Sequence, residues 1–145
     1  MTRIVVDASV SLCWYFPAQK TPYTEAVLDC LGRGDQVLAP ALWPLEMVNS
    51  LVVAARRKSI TPAQLDAFLV DLRDLPVTID LGGAGRACSS IARLARQYHL
   101  SSYDAAYLDL ALIEGAPLAT LDKNLRAAAK LAGVEVLKTG FAPSV

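Results

Sequence analysis

Four carboxylates stand out by where they fall in the chain. Asp7 directly follows the β-branched run Arg3-Ile-Val-Val, and Asp122 directly follows Leu118-Ala-Thr-Leu. Asp104 comes just after Ser101-Ser102, at the start of a long apolar-periodic stretch. Glu46 is the only charge between Asp35 and Arg56, set inside Leu42-Trp-Pro-Leu-Glu-Met-Val-Asn-Ser-Leu. An ionised carboxylate in such surroundings needs a partner or a cation. Asn49, three residues further on, shares its helical face. Four carboxylates at one edge of a fold repel one another and raise each other's pKa unless a cation sits among them. All-oxygen donors of this kind suit Mg²⁺ or Mn²⁺.

Each acid also fits a structural role on its own. Asp7 or Ser9 would cap a first helix, and Asp122 a last one. Asp104 would serve as a first-turn carboxylate at a helix N-terminus, and Glu46 as half of an ion pair with an arginine.

Other chemistries find little material. His99 is the single histidine, and it falls at a helix end, where a charge complements the dipole. Cys13, Cys30 and Cys88 are odd in number and form no CxxC pair, so they give neither a disulfide framework nor a zinc spacing. They read as small core hydrophobes. Gly82-Gly83-Ala84-Gly85 is too short for a phosphate loop and lacks its lysine.

The elements that must hold the acids alternate in type. Arg3-Ile-Val-Val, Gln36-Val-Leu-Ala, Val77-Thr-Ile, Leu118-Ala-Thr-Leu and Val134-Glu-Val-Leu read as short strands. Between them run helical patterns: Ser9 to Phe16, a stretch from Thr21-Pro22 closed by Gly32 and Gly34, Ala41 to Arg57, Thr61 to Leu75, Gly83 to Tyr98, Ser101 to Ile113, and Asp122 to Ala132. Thr61-Pro62-Ala63-Gln64 is a capping box with proline at the first helical position. Strands joined by helices are parallel and covered on both faces. The expected fold is therefore three-layer α/β/α around a central parallel sheet of about five strands, in one domain over 1–145, with a fraying tail from Gly140. In such a sheet Asp7 and Asp122 share the carboxyl edge, where open α/β sheets bind ligands. Asp104 emerges at the same edge.

Composition bounds the class. The chain has 145 residues, 54 % of them apolar and 19 % charged, a balance that excludes disorder and points to an oligomer or complex covering apolar surface. Fourteen basic residues match fourteen acidic ones, so a polyanion partner must be held locally rather than by overall charge. The longest uncharged stretch, Ala8 to Gln19, is too short to span a bilayer. No basic region leads into an apolar signal segment, so the expected location is the cytoplasm.

The sequence resembles the PIN-domain ribonucleases, and within them the VapC toxins of toxin–antitoxin pairs. The resemblance spans essentially the whole chain. It rests on Val5-Val6-Asp7-Ala8-Ser9, on Pro40 followed by Glu46 and Asn49, on Ser102-Tyr103-Asp104-Ala105-Ala106-Tyr107, and on Leu118-Ala-Thr-Leu-Asp122-Lys-Asn-Leu. It implies metal-coordinating, catalytic acids at Asp7, Glu46, Asp104 and Asp122, supported by Ser9 and Thr120. Asp109, five residues past Asp104, faces elsewhere on its helix. The implied activity is Mg²⁺- or Mn²⁺-assisted hydrolysis of RNA phosphodiester bonds without a side-chain nucleophile. Cations must then flank the acids, and Arg56, Arg57, Lys58, Lys123 and Arg126 are the candidates for RNA. The resemblance also implies a homodimer and a cognate antitoxin lying in an apolar groove. Trp14, Tyr15, Phe16 and Trp43 are candidates for contact there, or plain core.

Rival readings fit less well. A haloacid-dehalogenase-type phosphatase needs a second Asp two residues after the first, where this chain has Ser9. A phosphorelay receiver needs an acidic pair after its first strand, and Asp7 is single, with Asp80 the one faint match for its phosphorylated residue. A PIN-like RNA-processing nuclease outside any toxin pair, or an inactive PIN-like binding module, remains open at this point.

Overall fold

The computed structural model describes residues 3–138; the tail from Gly140 lies outside them. Strands β1 (Arg3–Val6), β2 (Gln36–Pro40), β3 (Val77–Asp80) and β4 (Leu118–Ala119) form one sheet in the order β3-β2-β1-β4. All pairings are parallel, with Val5 opposite both Leu38 and Leu118. The expected fifth strand is reduced to a single parallel bridge between Leu118 and Val136. Leu118 donates to the Glu135 carbonyl and accepts from the Leu137 amide, so the segment extends the sheet by only one rung.

The chain first builds outward from β1 to β2 and β3, then returns past β1 to β4. Right-handed crossovers place the connections of these two directions on opposite faces. On one face pack α1 (Ala8–Ser11), α2 (Pro22–Gly32), α3 (Trp43–Arg56) and α4 (Pro62–Asp74). On the other lie α6 (Ala92–Tyr98), α7 (Ser102–Glu114) and α8 (Lys123–Leu131), with α7 across β1 and β2. The reversal creates a topological switch point between β1 and β4, the place where ligands bind in such sheets. The strands between these layers bury Ile4, Val5, Val6, Val37, Leu38, Ala39 and Leu118.

Helix ends follow local chemistry. Thr21 caps α2 in a reciprocal box with Thr24, and Thr61 caps α4 in one with Gln64, each followed by proline at the first position. Ser101 caps α7, and Gly115 closes it at φ 59°. His99 ends α6 in the left-handed region at φ 54°, a conformation that histidine adopts more readily than most side chains.

Several sequence expectations need correction. The stretch from Ser9 to Phe16 is not one helix. After α1 it tightens into a 3₁₀ turn at Leu12–Trp14, and Pro17–Gln19 forms another. Gly83 to Tyr98 is also interrupted: α5 (Gly83–Arg86) leads through a π-helical turn at Ala87–Ile91 into α6. Cys13 and Cys30 are buried, but Cys88, inside that π turn, is exposed rather than core. For Trp14, Tyr15 and Trp43 the plain-core reading holds, since all three are buried. Trp14 Nε1 donates to the Thr24 carbonyl and Trp43 Nε1 to Ser11 Oγ, each at 2.9 Å, so both indoles fill the layer and satisfy their polar atom. Phe16 is half-buried against the same core. Among the described residues no helix is long and apolar enough to cross a membrane.

Candidate active site

Asp7 is where the switch point acquires chemistry. Its backbone continues the sheet by donating to the Ala119 carbonyl, and its own carbonyl accepts from Val10 to start α1. It therefore occupies the cap position, yet its side chain makes no capping bond. The carboxylate instead turns toward β4 and accepts from Ser9 Oγ at 2.7 Å and Thr120 Oγ1 at 2.8 Å. Only 5 % of Asp7 is exposed. Burial pushes its pKa up, the two hydroxyls offset part of that rise, and the Asp122 charge adds to it.

The hydroxyls are themselves anchored. Ser9 Oγ accepts from the Leu121 amide at 2.9 Å, and Thr120 Oγ1 accepts from the Asp122 amide at 3.0 Å. The loop after β4 is thus tied to the loop after β1 through the same groups that hold Asp7. Asp122 caps α8, its Oδ1 accepting from the Leu125 amide at 2.8 Å. The capping role accounts for one oxygen and leaves Oδ2 for other work.

Glu46 sits in the first turn of α3, whose buried stripe of Trp43, Met47, Leu51 and Ala54 pins the helix to the sheet. Its Oε1 accepts from the Tyr107 hydroxyl at 2.5 Å, and among the described residues no arginine forms an ion pair with it. Burial raises the Glu46 pKa, Tyr107 counteracts this, and the charges of Asp7 and Asp104 raise it further. Asp104, in the first turn of α7, is raised by burial and then by Asp7 and Asp122, with Ser101 opposing. Burial and the hydrogen bond to Glu46 together push the Tyr107 hydroxyl far above the usual phenol range, so it stays a proton donor.

Four acids from four separate segments are thus gathered at one edge, with Asp7, Glu46 and Asp104 each raised by the charges of others in the set. The donor set is all oxygen, and its three raised carboxyls are what a divalent cation would relieve. Among the described residues no three such side chains already enclose a metal position. Asp7 is locked by its hydroxyls. Glu46, Asp104 and Asp122 are half-buried side chains, and Asp122 keeps one oxygen outside its capping bond. The residues therefore fit a bound Mg²⁺ or Mn²⁺.

The remaining sequence candidates divide. Arg126 lies at the edge, its Nη2 donating to the Thr120 carbonyl at 2.8 Å, and Lys123 is exposed in the first turn of α8. Asn49 is exposed one turn along α3 from Glu46. Arg56, Arg57 and Lys58 do not flank the acids. They end the same helix ten residues later, about 15 Å along its axis, because α3 runs away from the carboxyl edge.

Two groups escaped sequence reasoning. Tyr107 was legible in principle, since it lies three residues from Asp104 on one helical face. Arg86 was not. It bridges Asp80 at the end of β3 (2.7 Å) and Asp109 on α7 (2.8 Å), while Ser90 donates to Asp109 at 2.6 Å. Asp109 is therefore engaged in an ion-pair network outside the acidic pocket.

The sequence pattern of the PIN domain matches residues 4–131. The chain belongs to the PIN domain family. Two relatives named ribonuclease VapC3 agree with that assignment. The one from Mycobacterium tuberculosis is 32 % identical over 123 residues, covering 85 % of each chain. The one from Pyrobaculum aerophilum is 26 % identical, covering 85 % of this chain and 92 % of its own. Solved structures share the fold: PAE2754 from P. aerophilum superposes with a TM-score of 0.64 at 20 % identity, over 88 % of this chain and 84 % of the other. VapBC2 from Rickettsia felis, bound to a DNA fragment from its promoter, gives 0.63 at 11 % identity over 94 % and 98 %. In this PIN domain the family pattern begins at β1 and ends with α8, so it encloses all four acids.

Proposed function

We propose that this PIN domain is a divalent-cation-dependent endoribonuclease, the toxin of a type II toxin–antitoxin pair. The observation that carries the reading is the convergence of Asp7, Glu46, Asp104 and Asp122 at the switch point, with three of the four carboxyls raised by burial and by one another. The names of the VapC3 relatives support ribonuclease as the activity.

Asp7, Glu46, Asp104 and Asp122 would hold Mg²⁺ or Mn²⁺. Such an ion supplies Lewis-acid polarisation of a phosphate and makes water a usable nucleophile near neutral pH. The chain's own groups do the positioning. Ser9 and Thr120 fix Asp7, Tyr107 fixes Glu46, and the cap of α8 fixes Asp122. Lys123 and Arg126 offer the RNA backbone positive charge beside Asp122. No side chain needs to attack phosphorus, which agrees with a site built of carboxylates and hydroxyls.

An antitoxin is the expected partner, as in the VapBC2 structure. An apolar groove between α3, α4 and β3, lined by the partly exposed Val48, Leu69, Leu75, Val77 and Ile79, suits a partner segment. A homodimer would cover further apolar surface, one domain would span 1–145, and RNA as substrate puts its work in the cytoplasm.

The test is cleavage of total cellular RNA by the purified, antitoxin-free protein with Mg²⁺ or Mn²⁺, against EDTA and Asp104→Asn controls, with new ends mapped by sequencing. Discrete cuts missing from both controls are expected. A folded, metal-supplemented protein that leaves the RNA intact, or an Asp104→Asn variant of full activity, overturns the reading.

A further inference from the structure

Large apolar side chains stand exposed directly before three of the four acids. Leu45 precedes Glu46 and is 73 % exposed, Tyr103 precedes Asp104 at 66 %, and Leu121 precedes Asp122 at 41 %. An isolated exposed leucine is ordinary. These three sit on the segments that carry three of the acids, each next in sequence to one of them, and none of them contributes to the core. Tyr103 is the aromatic member. Among the described residues its ring packs against no other aromatic and its hydroxyl makes no hydrogen bond.

We propose that Tyr103 is the base-stacking residue of the site, receiving the face of an unpaired nucleobase next to the phosphate to be cut. This rests on the ribonuclease reading and deepens it by naming a residue that selects substrate. The argument is electrostatic as well as geometric. Four carboxylates gather at this edge, the cations beside Asp122 are Lys123 and Arg126, and Arg56, Arg57 and Lys58 stand about 15 Å away along α3. Apart from a bound cation, phosphate attraction at this edge therefore rests on two side chains. A nucleobase offers an uncharged, polarisable face that an acidic pocket does not repel, and stacking on an aromatic ring holds any base that has left its helix. A paired base keeps its faces against its neighbours and cannot use the ring. The exposed ring thus favours unpaired strands.

The experiment is competition. The full chain cleaves total cellular RNA with Mg²⁺ or Mn²⁺ while a strand of about 12 ribonucleotides, or an abasic ribose-phosphate strand of equal length, is titrated in. Wild type is expected to be inhibited at about tenfold lower concentration by the strand that carries bases. Tyr103→Phe keeps that ratio and Tyr103→Ala reduces it to about threefold or less. Tyr103 is exposed and unbonded, so the alanine variant folds, with circular dichroism as the check. Equal inhibition of wild type by both strands, or an undiminished ratio in Tyr103→Ala, overturns the stacking role while leaving the ribonuclease standing. An undiminished ratio combined with loss of a co-expressed antitoxin would assign Tyr103 to a protein partner instead. A wild type that cleaves nothing before any competitor is added fails at the earlier step and removes both readings.

Discussion

At the residue scale, the acidic pocket is a place where the fold carries charge that it does not itself neutralise. Asp104 shows this most simply. Burial, and then the charges of Asp7 and Asp122, raise its carboxyl above the ordinary value. The folded state therefore prefers the protonated form more than the unfolded chain does. The corresponding stability is present below the unfolded pKa and is lost as pH rises through the higher folded one. Asparagine cannot ionise, so Asp104→Asn keeps that stability at neutral pH. In EDTA the variant should melt higher than wild type at pH 7.5, by about 1–2 °C after discounting for partial exposure. The gap should close as the pH is lowered toward 4. Thermal melts followed by circular dichroism at several pH values decide this, and a variant no more stable than wild type at pH 7.5 would mean that the acids do not repel one another.

At the element scale, the acids depend on α7, which carries both Asp104 and Tyr107 and lies across β1 and β2. Arg86 fixes the other side of this helix through Asp109, itself only 2 % exposed. Gly82 makes room for the bridge, since a Cβ there would meet Arg86 Nη1 at 2.5 Å. Removing the guanidinium leaves a buried carboxylate unpaired, a cost of several kcal/mol when burial is complete. Because Arg86 is itself about one-quarter exposed, Arg86→Met should lose about 2 kcal/mol in urea unfolding. Adding Asp109→Leu should restore most of it, because the unpaired charge is gone. A single variant as stable as wild type would show that the bridge does not hold α7. These elements also mark how far the sequence could be read. β1 and β3 were legible from their β-branched runs and β2 from its short apolar Val-Leu-Ala, and the caps of α2, α4 and α7 from Thr-Pro and Ser-Ser. The interrupted helix after β3 was not legible, because the partner that organises it, Asp109, lies 23 residues beyond Arg86. The fifth strand was over-read: Val134-Glu-Val-Leu has strand composition but finds only one residue of β4 to pair with.

At the scale of the whole molecule, the site joins the beginning, middle and end of the chain. Asp7 follows β1, Glu46 belongs to α3, Asp104 to α7 and Asp122 to the cap of α8, so the pocket forms only when both faces of the sheet are in place. Asp7 and Asp122 were legible beside strand ends, Asp104 at a helix start, and Glu46 as the lone charge in an apolar stretch. Their mutual geometry was not, because it depends on the return of the chain from β3 past β1 to β4. A ligand that binds all four binds only the folded state, and it stabilises the entire cooperative unit by mass action. Mn²⁺ or Mg²⁺ at about one hundred times its dissociation constant should therefore add about 2.7 kcal/mol to unfolding. That corresponds to about 5–10 °C for a chain of this size. The shift should follow the logarithm of cation concentration, disappear on adding EDTA, and be nearly absent in Asp104→Asn. It should also shrink at acid pH, where protons occupy the raised carboxyls that the cation needs. Differential scanning calorimetry across a cation titration measures all of this without any RNA. A melting temperature indifferent to Mn²⁺ and Mg²⁺ at neutral pH would separate the four acids from metal binding, and with it the hydrolytic role of the edge where they meet.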